Sequence, residues 1–87
     1  MKIERFGPGE HFPAGSGHAL PEKLGDGTPA SYVLMTPVSD FSFVCFGSKG
    51  VQLEDNPILI KQATVFRVSA YTHFACSWPV NIVPVEC

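Results

Sequence analysis

The stretch Ile58-Leu-Ile-Lys-Gln-Ala-Thr-Val-Phe-Arg-Val68 decides the fold class. Its length would suit a short helix, but Ile58, Ile60, Thr64, Val65 and Val68 are β-branched. Such side chains lose rotamer freedom in a helix and pack well on a pleated sheet. Phe66, Val68 and Ala70 also alternate with Arg67 and Ser69, the period of two that places one set of residues on one face of a strand. The surroundings agree. Runs rich in Val, Ile, Phe, Tyr and Thr recur on either side between turn signals, which predicts strands over 31–36, 41–46, 51–53, 58–61, 64–70, 72–77 and 80–85. Phe41, Phe43 and Cys45 alternate with Ser42 and are expected to face the core, a pattern that Phe74, Cys76 and Trp78 repeat. Gly47-Ser-Lys-Gly50 reads as a hairpin loop, Asp55-Asn56-Pro57 as a turn and Trp78-Pro79 as a strand end. Pro84 has no amide donor and is expected on an edge strand. The expected fold is therefore all-β: a small antiparallel β-sandwich or partly open barrel of six or seven short strands.

Toward the N-terminus the composition changes. Of the sixteen Gly and Pro residues, ten fall in residues 1–30, and the motifs Phe6-Gly-Pro-Gly-Glu10 and Phe12-Pro-Ala-Gly-Ser-Gly17 read as consecutive turns. Only Ala19–Leu24 suits a helical turn. Residues 31–87 hold thirty hydrophobic and seven charged residues. The organisation expected is an extended Gly/Pro-rich N-terminal arm over 1–30 and a small β-domain over 31–87.

The whole chain has 87 residues, room for one core, with 45% hydrophobic and 16% charged residues and a net charge of −2. That charge supplies no field to attract phosphates, so no direct nucleic-acid partner is expected. Met1–Pro8 has no apolar run of signal-peptide kind, and no stretch approaches the roughly 20 apolar residues that span a bilayer, so neither export nor a membrane partner is expected. Three cysteines, Cys45, Cys76 and Cys87, cannot all pair within one chain. Cys45 and Cys76 lie in apolar runs and read as small buried hydrophobes, a disulfide between them being the alternative.

Chemistry is sparse. His11 and His18, near Glu10 and Glu22, lack the close pairing of zinc ligands and read as solvent-facing loop residues. The segment Pro8–His18 resembles the first metal motif of cupins but lacks its His-x-His pair, so nothing of that family's function is carried over. His73 and Cys76 stand three apart on a strand and so point to opposite faces. No Gly-x-Ser-x-Gly elbow occurs, and Gly47-Ser-Lys-Gly50 leads into Val51-Gln-Leu53 rather than the helix of a P-loop. Asp40, His73 and a serine make a triad only on paper. The chain is read as not an enzyme, with no catalytic, cofactor-binding or metal-binding residue.

Aromatic and apolar excess is the remaining signal. Both alternation phases of 41–46 and 80–85 are apolar, so some apolar face is left over, and exposed apolar surface beside open sheet edges is a binding site. Protein contacts are expected from Phe6, Phe12, Leu20, Leu24, Val83 and Val85. An arm joined to a small apolar β-domain suits a structural virion protein, a bacteriophage capsid decoration (cement) or minor head subunit. It would be made in the host cytoplasm, associate with itself and other capsid subunits, and stabilise neighbours by non-covalent bridging. Two alternatives belong to other classes. One is a small inhibitor or accessory protein meeting a basic host surface through Glu10, Glu22, Asp26, Glu54 and Asp55. The other is a carbohydrate-binding β-module using Tyr71 and Trp78.

Overall fold

Burial alternates along Tyr32–Pro37: Val33, Met35 and Pro37 are buried, while Tyr32, Leu34 and Thr36 are half-buried. One row of side chains thus enters a core, as a strand's period of two requires. The computed structural model describes residues 3, 5–21, 23–53 and 56–86. These form nine strands and, among the described residues, no helix. In chain order they are β1 Arg5–Phe6, β2 Glu10–Phe12, β3 Gly15–Ala19, β4 Tyr32–Pro37, β5 Ser42–Gly47, β6 Ile58–Ile60, β7 Thr64–Arg67, β8 His73–Cys76 and β9 Val80–Glu86.

Two antiparallel sheets pack into a sandwich. The first has the order β1-β9-β4-β7, with β2 also paired to β9; the second has the order β3-β8-β5-β6. All but two connections cross from one sheet to the other, so the sheets are laced together throughout. Across the first sheet the register stacks Val33 on Pro84, Met35 on Ile82 and Pro37 on Val80. Across the second it stacks Val44 on Cys76 and Phe46 on Phe74. These two inner rows meet in one buried cluster that includes Phe12, Leu20, Ile60 and Val68, with Phe46 and Phe66 packed against it.

The all-β reading of the sequence holds, and six of the seven expected strands are present near their expected bounds. Residues 51–53 form none. The chain turns at Ser48–Gly50, with the Val51 N–H donating to the Ser48 carbonyl at 3.1 Å, and lays Val51 and Leu53 on the outer face of the second sheet over Cys45 and Ala75. Gly47-Ser-Lys-Gly50 is accordingly no hairpin loop, since β5 pairs next with β6, beyond residues 48–57. Asn56 has φ 62°, a left-handed conformation that asparagine tolerates in a turn.

The N-terminal segment is corrected most. Instead of an extended arm it supplies three strands: β1 and β2 pair with β9, and β3 pairs with β8. Phe12 and Leu20 enter the main core, and Leu24 is buried. A radius of gyration of 11.9 Å is that of one compact 87-residue unit, about 12 Å. Close approach is one use of its glycines: Gly7 donates its N–H to the Pro84 carbonyl at 2.8 Å and leaves no space for a side chain, whereas Gly17 and Gly27 take positive φ in open space. The suggested turn of helix at 19–24 does not form among the described residues; Lys23 forms a bridge with Pro29.

Pro84 is also corrected, because β9 lies inside its sheet with neighbours on both sides. A residue's N and carbonyl O leave a strand on the same side, and the Pro84 oxygen faces Gly7. The missing donor therefore falls at the break between β1 and β2, where the ladder is already interrupted.

Candidate interaction surface

Ser42 sets the orientation of β5. It is fully buried, and its hydroxyl donates to the Trp78 carbonyl at 3.0 Å and accepts from the Trp78 N–H at 3.2 Å. A buried hydroxyl so satisfied costs little, and with Ser42 turned in, Val44 and Phe46 follow it inward. The expected phase is reversed: Phe43 and Cys45 face outward. Trp78, expected in the core, lies just past the end of β8 and is 50% exposed.

The outer face of the second sheet is covered at one end only. Val51 and Leu53 shield Cys45 and Ala75. At the other end Phe41, Phe43 and Leu59 are 38, 40 and 45% exposed. Phe41 meets Phe43 edge-on at 6.0 Å and Trp78 at 6.4 Å between ring centres, and Leu59 lies directly opposite Phe43 in the ladder. The pair is of the close, non-hydrogen-bonded kind, because the Phe43 N–H and C=O are turned to Ser77. The four side chains form one continuous apolar surface next to the open edge strand β6.

A second apolar row crosses the outer face of the first sheet. Leu34 pairs with Val65 on one side and Val83 on the other, and all three are half-buried. Phe6, 70% exposed, stands on β1 opposite Val85. Of the residues expected to make protein contacts, only Phe6 and Val83 therefore reach the surface. Phe12, Leu20, Leu24 and Val85 are at most 9% exposed; the chain uses them to close its own core, which corrects their assignment. The signal for the outward row lay in the doubly apolar 41–46 and 80–85, whose two phases pattern alone could not rank.

Polar chemistry is dispersed. His11 and His18 lie on strands of different sheets rather than in a loop. His11 Nδ1 bonds the Asn81 amide oxygen at 2.9 Å, and His18 Nε2 donates to the Pro13 carbonyl at 2.9 Å with its ring 5.3 Å from both Phe12 and Phe74. His73 Nδ1 bonds the Thr72 hydroxyl at 2.8 Å. Among the described residues no three His, Cys, Asp or Glu side chains converge. Cys45 points outward and Cys76 inward, so the alternative disulfide between them is excluded. Burial pushes the Cys76 thiol up in pKa, away from the reactive thiolate.

Of the acidic residues of the inhibitor reading, only Glu10 and Asp26 lie among the described residues. Asp26 is held by Arg5 at 3.0 Å and by the Thr28 hydroxyl at 2.6 Å, while Glu22, Glu54 and Asp55 lie outside the described residues, as does Cys87. Tyr71 stacks on Phe46 before β8 and Trp78 meets Phe41 after it, so the pair proposed for a sugar stands at opposite ends of a strand. No family model, curated protein or solved structure matches the chain.

Proposed function

We propose that the chain is a non-enzymatic structural subunit that bridges other proteins in a large assembly, a virus particle being the setting, as a decoration or minor head subunit of a bacteriophage capsid. One observation carries the reading: apolar surface on both outer faces of the sandwich, Leu34, Val65 and Val83 on one and Phe41, Phe43, Leu59 and Trp78 on the other. The outer faces of two stacked sheets look in opposite directions. A module with a single target needs one such face, whereas a bridge needs two. The largest contiguous apolar patch on a monomer is often a contact site. With residues 5–19 paired into the two sheets, the faces and not an arm carry the contacts. The mechanism is burial of apolar area between neighbours, and no bond is made or broken.

The test is co-sedimentation of the full chain with purified particles assembled from the same genome without it, with copy number measured by mass spectrometry. Saturation at many copies per particle, lost with Leu34→Lys, is expected. A one-to-one soluble complex with a single host protein would replace this reading with the inhibitor one.

A further inference from the structure

We infer that the aromatic face is covered by a second copy of this chain, in a two-fold dimer that packs the outer faces of two β3-β8-β5-β6 sheets together. The inference rests on the subunit reading above and names the partner of one of its two faces. Area is the first argument. Phe41, Phe43, Leu59 and Trp78 are each 38 to 50% exposed, which for side chains of this size amounts to roughly 350 Å². A standard interface takes about 800 Å² from each partner, somewhat over half of it apolar, or about 450 Å². The patch therefore supplies most of the apolar core that one side of such a dimer needs, already locked by edge-to-face ring contacts that leave little to order on binding.

Charge is the second argument. Asp40 precedes Phe41, and Lys61 follows Ile60, whose ladder partner is Ser42. One exposed acid and one exposed base thus stand at the same end of β5 and β6. In a two-fold interface, residue i of one copy meets residue j of the other and the reverse. A rim of mixed sign fits its own copy, whereas a rim of one sign would repel it.

Trp78 is the only tryptophan and lies in the patch, so its emission reports the contact directly. Sedimentation equilibrium of the purified full chain over a wide concentration range, with Trp78 emission followed in parallel, tests the proposal. The expected result is a mass rising from 9.4 kDa to twice that value, with emission moving to the red on dilution. Leu59→Lys should weaken association at least tenfold without changing the circular dichroism. Asp40→Lys should weaken it less, and adding Lys61→Asp should restore it, which a merely structural role for either charge would not produce. A monomer throughout, a higher closed ring, or a dimer indifferent to Leu59→Lys overturns the proposal. A monomer that still saturates particles overturns the dimer alone; a dimer that ignores particles overturns the subunit reading alone.

Discussion

A Cβ at position 7 would overlap the Lys23 carbonyl oxygen and press at 3.0 Å on the Leu24 Cα, both of them backbone atoms that cannot swing aside. Gly7 is also the donor to Pro84, so relief by moving the strand would break that bond. Gly7→Ala should cost about 1–3 kcal/mol, the range for overpacking, measured by urea unfolding. Gly25→Ala is the matched control. Its Cβ would meet only the Phe6 oxygen at 3.5 Å, and stability within about 1 kcal/mol of the parent is expected. Asp26 offers a test in pH. Its carboxyl sits below the ordinary value of 3.8, chiefly because the Thr28 hydroxyl and N–H donate to it, with Arg5 contributing less. A depressed carboxyl adds stability above its ordinary pKa, and that contribution is lost as pH falls through the lowered value. The NMR titration midpoint of Asp26 should lie below 3.8 and move up in Thr28→Val more than in Arg5→Ala.

At the scale of elements, the test falls on β1, β2 and β3. Removing residues 5–19 strips β9 and β8 of their outer neighbours and takes Phe12 out of the core. The truncated chain should lose its dispersed NMR spectrum, and a well-folded 31–87 fragment would refute this placement. Composition misleads here for a physical reason. Gly and Pro were read as turn formers, yet β1 and β2 are only two and three residues long, too short to show a period. Gly7, between them, is required by contact with the backbone of Lys23 and Leu24, far away in sequence. Where apolar and polar residues alternate or flanking turns are clear, the strand bounds are legible: β4, β7, β8 and β9 fall near their expected bounds. In β5 both faces are apolar except at Ser42, and the direction of that one hydroxyl depends on Trp78, thirty-six residues on. The aromatic surface was thus foreseeable as an excess of apolar residues but not as a named set.

For the molecule as a whole, the lacing of the two sheets makes stability a single quantity. β9 pairs with β1, β2 and β4, so strands some eighty residues apart in sequence are neighbours in one sheet. Ladders that join such distant residues form only after large loops close, which places folding in the range of about milliseconds to seconds. No subset of strands keeps both a core and its edges, so partial unfolding has no stable stopping point. Urea transitions followed by Trp78 fluorescence, which reports the end of the second sheet, and by far-ultraviolet circular dichroism, which reports both sheets, should share one midpoint. Amide exchange should agree: the Gly7 N–H bonded to Pro84 and the Leu20 N–H bonded to Thr72 belong to the N-terminal segment, yet both should exchange only through global unfolding, as protected as the amides within β4. Early exchange at these two positions, or an earlier circular-dichroism transition, would mean that the N-terminal strands open on their own. In that event the surface they uncover on β8 and β9 would be the first place to look for a partner.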